Sequence, residues 1–151
     1  MQFDGLLIRG YLCKMKVSVI SRPRIQFTDD HEWIDYNGTV GFVGASIFKL
    51  KGIKKIDNIK WYHRKGTIEK GTLIAEIHSD DVIIPIHAPV KCKFLGQNQK
   101  LINNLNLILE SPQDNGWMFF VTPSKFLNHE PLLSPEEYQK LIGTKKVYGT
   151  Q

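Results

Sequence analysis

Cysteine is nearly missing from this chain: Cys13 and Cys92 are the only two in 151 residues. Two thiols so placed make neither a metal-ligand spacing nor a disulfide framework, so free thiols in a reducing compartment are expected. Long apolar runs are missing too, and with them any membrane-spanning helix or membrane partner. No internal repeat or low-complexity tract occurs, and nothing matches a phosphate-binding loop or a nucleophile–base pair. His31-Glu32-Trp33 lacks the second histidine that a helical zinc motif needs, so His31 is expected to be structural. No catalytic and no metal residues are assigned, and an enzyme is not expected. A secretory signal is not expected either: Arg9, Lys14 and Lys16 interrupt the first apolar run, and no cleavage pattern follows it. Asp4 is the only acid before Arg24, which a transit peptide would also show. A cytoplasmic location is expected, with a mitochondrial one left open.

What is present is the composition of a folded domain, 42% hydrophobic and 11% aromatic. The expected division is an N-terminal extension over 1–24, one domain over 25–143 and a C-terminal tail over 144–151. The net charge of +5 permits an acidic partner without requiring one. Lys49, Lys51, Lys54, Lys55, Lys60, Arg64, Lys65 and Lys70 make the middle basic, around Trp61, Tyr62 and His63. That pattern fits a nucleic-acid surface with stacking aromatics. It fits a solvated face over buried aromatics better, so nucleic acid is an unlikely partner.

Gly71 to Val90 reads as one β-hairpin, with Ser79-Asp80-Asp81 between two apolar runs. A two-residue turn at Asp80-Asp81 sets Ile77 against Ile84, Ala75 against Ile86 and Leu73 against Ala88. All six then share one face, because strand side chains alternate. Ile74, Glu76, His78, Ile83, Pro85 and His87 fall on the other. The tip thus carries two adjacent carboxylates on a stiff stem. His78, Asp80 and Asp81 are weak candidate ion ligands, but His78 and His87 do not face each other, so no closed metal site is expected.

The other elements follow from local signals. Asn37-Gly38 is a hairpin turn that sets Tyr36 against Thr39 and Trp33 against Phe42. Ile47, Leu50 and Ile53 behind Ser46 predict a short helix over 45–55, and Ile56–Tyr62 a strand with Ile59 and Trp61 inward. Cys92–Leu95 is a short strand. Gln97–Asn104 holds a helical turn with Leu101 and Ile102 inward. Trp117–Val121 is a strand apolar enough to be buried on both faces, stopped by Pro123. Ser134-Pro135-Glu136-Glu137 is a capping box opening a helix that Gly143 ends.

Taken in order, these pieces resemble a known family. Phe27-Thr28-Asp29-Asp30-His31-Glu32-Trp33, Val43-Gly44, Lys70-Gly71, Asn115-Gly116-Trp117 and Leu133-Ser134-Pro135-Glu136-Glu137-Tyr138 are similar to the glycine cleavage system H-protein family. The resemblance covers about Ile25 to Leu141. It implies a mainly β fold with short helices, a barrel-sandwich hybrid like the lipoyl and biotinyl carrier domains, with peripheral helices and a C-terminal helix. It implies lipoate on a hairpin-tip lysine, visiting a decarboxylase, an aminomethyltransferase and a dihydrolipoyl dehydrogenase.

Here the chain departs from the family pattern. The attachment lysine stands ten residues after the turn glycine and eight before the proline; Gly71 and Pro89 both lead to Asp81. The glutamate three residues earlier becomes His78, Ser79 keeps the serine, Pro85 replaces a polar residue, and Leu109 an asparagine. Leu73–Val90 contains no lysine, while Lys70 and Lys91 lie at the hairpin base. Lipoate is therefore expected in the family but not here. The expected role is a binding, scaffold or regulatory module contacting glycine cleavage or lipoate-handling enzymes: decarboxylase, aminomethyltransferase, lipoate ligase or transferase. The candidate contact is His78, Ser79, Asp80, Asp81 and Val82. The alternatives are a working carrier lipoylated elsewhere and a basic nucleic-acid-binding protein.

Overall fold

The computed structural model describes residues 25–62, 65–124 and 132–149. The expected extension over 1–24 lies outside them, as do His63 and Arg64 of the basic stretch. Among the described residues nine strands form two sheets: β1 Ile25–Phe27, β2 Glu32–Asn37, β3 Val40–Ala45, β4 Asn58–Trp61, β5 Thr67–Ile68, β6 Leu73–Ser79, β7 Val82–His87, β8 Cys92–Gln97 and β9 Phe119–Pro123. The larger sheet runs β1-β2-β3-β9-β8-β5 and the smaller β4-β6-β7. A 3-10 turn, Gln99–Ile102, and two helices, α1 Leu107–Glu110 and α2 Pro135–Gly149, complete it. This is the mainly β, two-sheet architecture expected.

Period-two alternation sorts the side chains of β2 and β3. Ile34 and Val43 enter the core between the sheets with Ile59, Ile77, Ile86 and Phe119. Trp33 and Phe42 join Phe27, Tyr138 and Leu141 in a second cluster, where α2 packs. Phe27 and Tyr138 stack with ring centres 4.1 Å apart. The capping box forms as read: Ser134 N–H donates to Glu137 Oε1 at 2.8 Å, and Glu137 N–H to Ser134 Oγ at 3.1 Å. The helix runs past Gly143, however, to Gly149. Glycine weakens a helix by about 1 kcal/mol without ending it.

Several pairings differ from expectation. Trp33 opposes Gly44 rather than Phe42, and Tyr36 opposes Gly41. The turn residues are Gly38 and Thr39, with Gly38 at φ 68° in the first central position, where a II′ turn takes glycine. A slip of two residues leaves both faces intact. Gly44 then has a reason: a Cβ there would sit 2.9 Å from the Trp33 ring.

The stretch expected as a helix over 45–55 is a run of turns. Ser46 Oγ does accept the Lys49 N–H at 3.2 Å, as a cap would. No α-helix follows it, and Ile47 is 64% exposed rather than inward. Ile102, also expected inward, is 71% exposed beside a buried Leu101. The strand β9 starts at Phe119 and includes Pro123; Phe119 and Val121 are buried, whereas Phe120 is only half-buried.

Candidate functional site

The β6–β7 hairpin keeps most of its derived register. Ile77 opposes Ile84, Ala75 opposes Ile86, and Ser79 opposes Val82, leaving Asp80-Asp81 as the turn. One pair fails: Leu73 opposes His87, because a bulge inserts Ile74. Ala88 instead bonds to Gly71 and Thr72. The bulge turns both Ile74 and Ala75 into the core, at 1% and 0% exposure. Burying the isoleucine stabilises by about 1.5–3 kcal/mol, which outweighs one irregular rung of the ladder.

The tip is braced from one side. Ser79 Oγ donates to the Lys55 carbonyl at 2.6 Å, and Asp80 N–H to Asp57 Oδ2 at 2.7 Å. Asp57 N–H in turn donates to the His78 carbonyl at 2.8 Å. These contacts hold Asp80 at φ 51°, a left-handed conformation that aspartate tolerates. Asp80, Asp81 and Val82 face solvent, with Ile83 beside them at 54% exposure. Ser79 is buried, and His78 lies half-buried with Nε2 3.2 Å from Glu76 Oε1. Of the five residues singled out, three are presented together and two are not. Among the described residues the tip gathers no set of three metal donors.

Sequence distance understates the lysines near this tip. Lys91 does lie at the base, Nζ 3.6 Å from Glu69 Oε2. Lys55 reaches the tip through space: its side chain is 64% exposed, with Nζ 3.6 Å from Asp57 Oδ1.

A second set of charges gathers at the hairpin base. Glu32, 1% exposed, takes Lys49 Nζ at 3.1 Å, the His87 backbone N–H at 2.8 Å and His87 Nδ1 at 2.9 Å, all on Oε2. Lys49 Nζ also reaches Asp30 Oδ2 at 3.2 Å and the Asp30 carbonyl at 2.8 Å. His87 Nδ1 lies 2.7 Å from Asp30 Oδ2. Burial pushes the Glu32 carboxyl above its ordinary value, against the pull of Lys49 and the His87 N–H. Partial burial also opposes ionisation of Asp30, but the Lys49 ammonium together with Glu32 and His87 outweighs it and holds that carboxyl below its ordinary value. Asp30, Glu32 and His87 place donor atoms within 4.8 Å of one another. The chain's own ammonium already serves as the cation there.

This cluster was missed in the sequence. Lys49 read as one of a solvated basic run, yet its side chain is 9% exposed. His87 read as outward, and it does lie on the face opposite Ile86, but Asp30 and Glu32 cover it there. The available signal was Glu32 itself, an acid inside an otherwise apolar strand. His31 is structural as expected, its Nδ1 2.9 Å from Tyr138 Oη. That hydroxyl also meets Ser46 Oγ at 2.7 Å, and burial raises the Tyr138 pKa against this bond.

Two packed sheets of short strands with an exposed hairpin turn define the barrel-sandwich class of carrier-type domains. The fold matches a solved glycine cleavage system H protein from Mycobacterium marinum, with TM-score 0.69 and 22% identity, over 80% of this chain and 98% of that one. A family profile described as Glycine cleavage H-protein matches residues 25–145. The chain is 30% identical to the glycine cleavage system H protein of Carboxydothermus hydrogenoformans, over 83% of this chain and 96% of that one. It is 27% identical to a probable glycine cleavage system H protein of Aeropyrum pernix, over 86% and 91%. It is 25% identical to a mitochondrial H protein of Flaveria trinervia, over 77% and 70%. The chain belongs to the glycine cleavage H-protein family. That is a family of carriers, and the chain is not an enzyme. Among the described residues no helix is long and apolar enough to cross a membrane.

Proposed function

We propose that this chain is an H-protein-fold docking module without a swinging lipoyl arm. One observation carries the reading: the position reached from both Gly71 and Pro89 is Asp81, an exposed carboxylate in a hairpin without lysine. Lipoate is attached as an amide, and a carboxylate offers no nitrogen for that bond. The tip chemistry therefore does not fit the family's cofactor. In this role the module works in the cytoplasm. It engages the decarboxylase, the aminomethyltransferase or a lipoate ligase or transferase, and competes with or scaffolds the true carrier. Asp80, Asp81 and Val82 form the contact, with His78 and Ser79 as supports. Nucleic acid is not part of this reading, since Lys49 of the basic run is committed to Glu32.

A second reading, a carrier acylated elsewhere, is favoured by a single fact, the exposed Lys55 amine beside the tip. Intact-mass measurement separates the two. Protein from its native source is expected at its unmodified mass. Incubated with a lipoate ligase, lipoate and ATP, the wild type stays unmodified and Asp81→Lys gains one lipoyl group. A lipoyl group on the native protein, at Lys55 or any other lysine, overturns the proposal.

A further inference from the structure

We infer that a groove between α2 and the turns after β3 binds a small amphipathic carboxylate. The groove shares no residue with the hairpin, so the inference stands apart from the docking role. Its volume is about 550 Å³, within the range of roughly 300–1,000 Å³ that holds small molecules. The clefts beside Trp117 and beside Glu32, about 170 and 250 Å³, fall short of it.

The walls are apolar: Phe27, Ile47, Phe48, Tyr138 and Ile142. Phe27 and Tyr138, stacked and 3° from coplanar, make one aromatic wall. Ile47 stands 64% exposed beside it. The Tyr138 hydroxyl is already engaged by Ser46 and His31. The polar handles left are the amide of Gln139 and the ammonium of Lys51, since the Gln113 amide oxygen already takes the Ile47 N–H at 3.5 Å. Lys51 is exposed, is the one charged residue of the described lining, and makes no ion pair among the described residues.

An apolar trough with one cation and one amide at its edge matches a ligand with an apolar body and a single negative head. A phosphate dianion fits worse. Pro135, at the start of α2, has no N–H to offer, and the Glu137 N–H is capped by Ser134. Glu136 and Glu137 in the first turn repel a second negative charge.

The test titrates the full chain with decanoate, decylamine and decanol, followed by amide NMR shifts. Decanoate is expected to move the amides of Ile47, Phe48, Lys51, Tyr138 and Gly143. It should bind about threefold to fivefold more tightly than decylamine, the scale of one exposed ion pair. Lys51→Glu should reverse that order and leave decanol unchanged; because Lys51 is exposed, its melting temperature should match the wild type's. Equal affinity for the acid and the amine, an order unchanged in Lys51→Glu, or shifts confined to other residues overturns the inference.

Discussion

At the turn of the β6–β7 hairpin, Asp80 and Asp81 stand in water; at its base, Glu32 is 1% exposed against Lys49 and His87. Solvated charges can be exchanged with little effect on folding, because water supplies what a lost partner takes away. A buried charge that loses its partner has no such substitute. The tip is therefore open to change of function, whereas the base is constrained by stability.

The strongest way to break this contrast is Lys49→Met. It leaves the Glu32 carboxylate buried with only the His87 groups on Oε2. Breaking such a pair costs about 3–5 kcal/mol. Protonating the carboxyl caps the loss at about 3.5 kcal/mol at neutral pH, at about 1.4 kcal/mol per pH unit above its ordinary value of 4.5. Urea melts are expected to show that loss at pH 7 and a shrinking one as pH falls toward 4.5, the ordinary glutamate value. A loss independent of pH would locate the effect in packing instead.

Asp57→Ala sharpens the contrast from the other end. It removes the acceptor of the Asp80 N–H at 2.7 Å. An exposed hydrogen bond of this kind contributes about 0.5–1 kcal/mol. Faster amide exchange should be confined to residues near 79–82, with Glu32 and His87 unaffected.

At the base, Glu32 and Asp30 are read through pH dependence. The folded-state pKa of Glu32 is raised. The stability this carboxyl contributes is therefore fully present below 4.5 and is lost as pH rises through the folded value. Asp30 has the opposite sign: its pKa is lowered, so its contribution is present above the ordinary 3.8 and is lost as pH falls below it. Glu32→Gln should flatten the fall in stability above pH 4.5, and Asp30→Asn the fall below 3.8. Parallel melting temperatures across both windows for wild type and variants would remove the linkage.

Much of the hairpin was legible because alternation in Ile77, Ile84 and Ile86 admits only one register that meets face to face. The capping box at Ser134 was legible for a similar reason, since both partners lie three residues apart on one chain. The 45–55 segment misled because Ile47, Leu50 and Ile53 keep helical spacing while the chain forms successive turns there. The bulge at Ile74 was hidden, because its cause is space in a core filled by other strands. The base cluster draws Asp30 and Glu32, Lys49, and His87 from three separate stretches.

What the sequence by itself determined is local: the turns, the caps, the strand faces and the absence of an amine in the hairpin. Each depends on residues a few positions apart, so backbone sterics and side-chain alternation suffice. Only the tertiary structure decided which charges are buried and which lysine lies near the tip. Burial and Coulomb pairing depend on what other segments bring alongside, as when Lys49 closes on Glu32 or Lys55 comes to rest beside Ser79.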